Sequence, residues 1–269
     1  MRSQTKLKYP ISGVTERLDW IDNDRNKFKK ENSVDNLLHY FYYSNLKDLF
    51  ILSFFNDSNI EECKKICYEL AKAKEAHFHY FGQSMKEGNC VNIEHYEDFT
   101  LAMFCDRLDL LQKFQYFEYN GMYWNKPITR EEFMFKWGQM FSYSMQCIIN
   151  QDFEKLNVCI EKAHLLTKKT DSYFKSKHYD LHIAVWEAIR DRNAEGLEIA
   201  LLLLIKKTHR HFVSGHFWGD FISMPAIGYL KAAWYIGLEV EVKHKLIPME
   251  LMPIQPLVEY KNEFEYFLP

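Results

Sequence analysis

Apolar positions along this chain recur at helical spacing. Phe133, Trp137, Met140, Phe141, Ser144 and Ile148 fall at i, i+4, i+7, i+8, i+11 and i+15, one face of a helix. Thr129, with Glu132 three residues on, forms a capping-box pattern in front of it, in which two side chains satisfy orphan backbone donors. Phe153, Leu156, Ile160 and Ala163 carry the spacing onto the next helix, and similar patterns run from about Val14 to Lys29, Val34 to Phe55, Ile60 to Phe81 and Tyr96 to Phe117. Proline punctuates accordingly: none lies between Pro10 and Pro127 or between Pro127 and Pro225, and five of the seven fall from Pro225 onward. Proline deletes a backbone donor and clashes with the preceding turn, so long stretches without it suit helices.

Three helix–helix junctions share a local form: "RLDLL" (Arg107 to Leu111), "DFEKL" (Asp152 to Leu156) and "NAEGL" (Asn193 to Leu197). Each has an acid at its third position, where the dipole of the following helix favours it, and a leucine at its fifth to pack back on the preceding helix. Their starts lie 45 and 41 residues apart, the length of a helical-hairpin unit.

After Pro225 the pattern changes. Ser223 suits an N-cap, Pro225 a first helical turn and Gly237 a left-handed terminator. Ala226, Leu230 and Ala233 form a small-residue stripe between them. Beyond Gly237, Leu238, Val240 and Val242 alternate with Glu239, Glu241 and Lys243, an extended segment with one face buried. "IPMELMPIQPL" reads as a turn-rich wrap and "VEYKNEFEYFLP" as an acidic, aromatic tail. The expected architecture is all-α: stacked antiparallel helical hairpins with a short extended C-terminal segment. Residues 1–269 form one domain in this reading, with a soft division near residues 120–128.

Composition narrows the function. Hydrophobic residues make up 47% of the 269 and aromatics 16%, enough for a large core. A net charge of −3 gives no global basic field to recruit nucleic acid directly. The longest apolar run, Ile199 to Ile205, falls far short of a membrane span, and no apolar stretch follows the basic N-terminal residues. Cys63 and Cys67 sit one helical turn apart and no Cys-x-x-Cys pair occurs, so the six cysteines read as reduced thiols of a cytoplasmic protein.

Candidate chemistry is sparse. His209, His211 and His216, near Asp220, supply imidazoles without the spacing of a metal site. His178 and His182 are one turn apart, but Tyr179 stands where a zincin carries glutamate, and the pair reads as a surface pair or as interhelical packing. Glu241 and Lys243 match half of a nuclease E-x-K site, yet read better as the solvent face of the extended segment. No glycine-rich phosphate loop and no nucleophile elbow occurs. Lys27 to Lys30 and Lys206–Lys207 read as helix-end charges, and Glu61–Glu62 as a helix start. "YFYY" (Tyr40 to Tyr43) fits either a core stripe or a protein-binding patch. No catalytic, cofactor-binding or metal-ligating residue is assigned.

Asp220 to Leu251 carries a resemblance. An acid precedes the Ala/Leu-rich helix Ala226 to Ile236, Gly237 ends it, Val240 to Val242 extend, and Ile247-Pro248-x-Glu250-Leu251 closes the run, with Trp186 on an earlier helix. This stretch resembles the all-α immunity proteins of bacterial polymorphic-toxin systems, family 49 in particular. The resemblance implies a cytoplasmic antidote that binds one cognate secreted toxin and blocks its active site or substrate entry. It implies no catalysis and no cofactor. On that reading Glu259, Tyr260, Glu263, Phe264, Glu265 and Tyr266 form an acidic-aromatic face toward a basic, nuclease-type toxin domain; the alternative is a tail folded onto the body, its aromatics buried. Two further readings stay open: a TPR- or HEAT-like interaction scaffold, and a metal-dependent enzyme using the histidine-rich region.

Overall fold

The structure, a computed structural model, describes residues 12–31, 36–78, 96–116, 122–123, 126–127, 129, 135, 140–168, 178–212 and 221–264. The protein is all-α. Helices α1 (Ser12–Glu31), α2 (Asn36–Asp57), α3 (Ile60–His77), α4 (Tyr96–Met103) and α5 (Leu108–Lys113) are followed by α6 (Met140–Ile149), α7 (Phe153–Thr167), α8 (Tyr179–Arg190), α9 (Ala194–Phe212) and α10 (Met224–Tyr235). Between α5 and α6, Met122–Tyr123 pairs antiparallel with Lys126–Pro127, at the expected soft division. Successive helices pack in chain order, α1 on α2 on α3 on α4 and α6 on α7 on α8 on α9, while α10 returns to pack on both α4 and α6.

The corners explain how the chain doubles back. A residue of left-handed conformation stands immediately before α3, α5, α7 and α9 helix entry: Ser58 (φ 50°), Asp106 (58°), Gln151 (55°) and Arg192 (52°), each followed by the capping residue. The caps Asn59, Asp152 and Asn193 accept from the backbone N–H three residues on, at 3.0, 3.1 and 2.9 Å. Their own N–H groups donate to Ser53, Cys147 and Ala188 carbonyls of the preceding helix at 3.2, 2.8 and 2.8 Å; the last two are the bond that closes a Schellman turn, and the first reaches one residue farther back. The leucines of the three predicted junctions, Leu111, Leu156 and Leu197, are wholly buried, and the acids Asp109, Glu154 and Glu195 are exposed. The corner before α3 is a fourth of the same form, with Glu61 as the exposed acid and Cys63 as the buried fifth residue. Cysteine in the leucine's place hides it from a reading of the sequence.

One helix is shorter than its pattern. Apolar spacing runs over Tyr96 to Phe117, and the helix breaks between Met103 and Leu108, at the junction that Arg107 to Leu111 marks in the sequence. Asp106 takes the left-handed conformation there, which aspartate tolerates better than most residues, and its carboxylate is fully buried between two lysines. Thr129 is exposed, and its capping-box partner Glu132 and the apolar positions Phe133 and Trp137 lie outside the described residues.

The centre is built from α6 and α10. Every residue of α6 is buried, so the one-face pattern expected there is replaced by a helix enclosed on all sides. In α10, Met224 to Ala233 are likewise buried. Gly228 sets the approach of α10 to its neighbours: a Cβ would lie 2.4 Å from Thr100 Oγ1 of α4 and 2.7 Å from Met145 Cε of α6. Ser223 and Pro225 open α10, and Gly237 (φ 76°) follows its end, as the sequence indicates. Leu238, Val240 and Val242 are buried and Glu239, Glu241 and Lys243 exposed, so the predicted alternation holds and Glu241 and Lys243 face solvent.

Candidate partner-facing segment

Residues 249–264 cross the body as a strap held at several points. Lys231, in the middle of α10 and wholly buried, aims its ammonium at the strap and donates to the carbonyls of Leu251 (2.9 Å), Met252 (3.1 Å) and Pro253 (3.3 Å). The same Nζ lies 2.6 Å from Asp106 Oδ1, and Lys64 Nζ of α3 lies 2.8 Å from Oδ2. Asp106 Oδ2 also accepts from the Gln255 N–H at 3.1 Å, and Lys64 donates to the Gln255 carbonyl. Burial pulls the Lys231 ammonium below its ordinary pKa, with Asp106 opposing that pull. Three elements and the strap therefore share one buried carboxylate.

Farther along, Tyr260 stacks on Tyr68 of α3 with ring centroids 4.6 Å apart. Its hydroxyl donates to the Cys105 carbonyl and accepts from the Leu257 N–H. Burial pushes the Tyr260 phenol up to about 12. The Arg107 guanidinium sits 5.8 Å from both rings. Phe264 is 1% exposed and meets Tyr42 of α2 edge-on at 5.7 Å. Glu263 pairs with Lys29 of α1 at 3.7 Å and with Lys261. Burial raises the Glu263 carboxyl, but Lys261, Arg25 and Lys29 outweigh it and hold it below the usual range.

The acidic-aromatic face expected from the sequence is thus divided. Glu259 is exposed, Glu263 is half-buried against basic side chains, and Tyr260 and Phe264 turn onto the body. Phe264 is corrected from a surface contact to a core residue, because its ring fills space beside Tyr42. Glu265 and Tyr266 lie outside the described residues. Between the Gln255 and Tyr260 anchors, the sequence overlooks Val258, which is fully exposed (101%) beside Glu259. A valine after Pro256 and Leu257 reads in the sequence like any other apolar position; only the two fixed flanks make it a projecting tip.

The described part of the other candidate chemistry is packing. His182 is buried against Phe141, ring centroids 4.0 Å apart, with Nδ1 2.8 Å from the Tyr229 hydroxyl, so it joins α6, α8 and α10. His178 occupies the left-handed cap position of α8. His209 and His211 fall on the last turns of α9, but their side chains, His216 and Asp220 lie outside the description. Among the described residues no three histidine, cysteine, aspartate or glutamate side chains converge as metal ligands, and no helix is long and apolar enough to cross a membrane. Cys63, Cys67, Cys105, Cys147 and Cys159 are buried and in no disulfide; burial pushes the Cys63 and Cys105 thiols up to about 12. Tyr42 and Tyr43 are buried, which settles the core reading for those two positions. An open depression of about 520 Å³ lies by the α6–α7 corner, lined by Gln115, Asp152, Lys155 and their neighbours, whose polar groups bond to one another. No protein-family model, curated protein or solved structure matches this chain.

Proposed function

We propose that this protein acts by binding another protein through its exterior, as a cytoplasmic immunity protein that neutralises a cognate secreted toxin. The loop 256–259 supports this reading more than any other feature. Gln255 on one side and Tyr260 on the other are fixed to buried groups, so the loop is ordered before any partner arrives, and it presents an uncovered valine beside a carboxylate. A pre-ordered contact loses little conformational entropy on association. An apolar tip with an adjacent acid suits a pocket rimmed by basic side chains, the kind that a nucleic-acid-cleaving toxin carries for its substrate. The family resemblance of Asp220 to Leu251 supplies the toxin as the class of partner, and the loop supplies the means of blocking its substrate entry.

The recurring corners before α3, α5, α7 and α9 favour a second reading, a helical-repeat interaction scaffold, in which the partner lies along the helices instead of on the strap. Both are tested by co-expression with the product of the adjacent gene. The expected outcome is host survival and a stoichiometric complex, weakened at least about tenfold by Val258→Asp, a loss of about 1.4 kcal/mol. A complex indifferent to Val258→Asp and Glu259→Lys moves the contact to the helices. Absence of both protection and complex ends the toxin reading.

A further inference from the structure

The outer face of α9 carries an exposed apolar pair flanked by opposite charges. Leu197, Ala200, Leu201, Leu204, Ile205 and Thr208 turn inward and are buried. On the opposite side Ile199 is 59% and Leu203 40% exposed, with Leu202 half-buried beside them. Exposed Glu195 stands one turn before this apolar pair, and exposed Lys206 and Lys207 stand one turn after it. Glu195, Ile199, Leu202 and Lys206 follow the i, i+4, i+7, i+11 spacing of a single helix face. Lys206–Lys207 are not at the helix end, since α9 continues to Phe212.

The geometry points to a second copy of this chain as the occupant, docked antiparallel on α9 across a two-fold axis near Leu201. In that arrangement Ile199 and Leu203 of each copy pack on those of the other, and each Glu195 meets the other copy's Lys206. The interface is then isologous, one patch complementary to itself. Within one chain the two charges are about 16 Å apart along the axis and cannot satisfy each other. The comparable outer stripe of α7 lacks this property: Glu161 interrupts Val158 (40% exposed) and Leu165 (58%), and Lys162 follows it directly. A face the length of one helix is at the small end of specific interfaces, so the dimer is weak and concentration-dependent.

Sedimentation velocity of the intact protein from dilute to concentrated solution reads the association directly. The expected result is a monomer–dimer equilibrium that Leu203→Asp abolishes, with the helical circular dichroism unchanged. Glu195→Lys and Lys206→Glu each weaken the dimer about threefold to tenfold by placing like charges together. The two changes combined restore it, because every cross-pair is reversed and none is lost. A strictly monomeric wild type, a dimer unaffected by Leu203→Asp, or single charge reversals that the double variant does not repair would each overturn the proposal. The toxin-binding loop at Val258 takes no part in this contact, so the two tests stand apart.

Discussion

Helices α3 and α8 are both interior helices, and they differ in what they bury beside their apolar residues. Helix α8 buries Leu181, Ile183, Val185, Trp186, Ala188 and Ile189, with His182 as its buried imidazole. Helix α3 buries Lys64, Glu69, Lys72, Lys74 and Glu75. Each of these charges is matched. Arg25 of α1 grips Glu69 through two nitrogens while Tyr42 donates to the same carboxylate. Lys74 lies 2.7 Å from Asp98 and over the Tyr43 ring at 3.7 Å, and Lys47 reaches the same Asp98 at 2.6 Å. Lys72 pairs with Glu75. Apolar burial is non-directional and tolerates approximate fits. A buried ion pair stabilises only while its partner is in place, because the desolvation cost of each charge persists without it. The α3 side of the molecule is therefore fixed in register by pairing in addition to apolar burial that includes Ile66, Leu70 and Ala73, and the α8 side is held by area.

The largest effect should come from breaking a pair. Asp106→Asn leaves Lys64 and Lys231 without a counter-charge in the interior and should cost about 4 kcal/mol in urea unfolding. Lys231→Met should cost less in that background than in the wild type, a coupling of about 1–3 kcal/mol in a double-mutant cycle. Additive effects would mean the shared carboxylate does not tie the strap to α10. On the apolar side, Ile189→Ala should cost about 3 kcal/mol through lost burial and a cavity. That loss should not depend on the charge of any neighbour; sensitivity to neutralising a nearby lysine would erase the contrast between the two halves.

The smallest effect belongs to the corners. Asp152→Ala removes the α7 cap and should cost about 1 kcal/mol near neutral pH. Partial burial raises the Asp152 carboxyl, but the Lys155 ammonium and backbone N–H and the Gln115 amide outweigh it and hold it below the usual carboxylate value. A carboxyl depressed on folding stabilises above its unfolded value of about 3.9, and that contribution fades as pH falls through the folded value. The difference between wild type and Asp152→Ala should accordingly shrink on acidification, and a difference constant with pH would assign the loss to something other than the carboxylate.

Legibility in the sequence follows the same division. The all-α class, the three junctions, the α10 caps and the Leu238–Val242 alternation are local patterns, and each was readable. The corner before α3 escaped because Cys63 stands for leucine. The junction at Arg107 was legible, but the burial of Asp106 beside it was not, because its partners Lys64 and Lys231 lie far away in the chain. Val258 escaped because its projection depends on anchors to Asp106 and Cys105, which are distant in sequence.

What the sequence determined by itself is where helices form and turn, since spacing, caps and left-handed corners act within a few residues. Which lysines and glutamates go inside, and which valine stands out, was decided only by the tertiary structure. A charged side chain carries the same local signature on a surface as in a core, and only a counter-charge brought from elsewhere in the chain makes its burial tolerable.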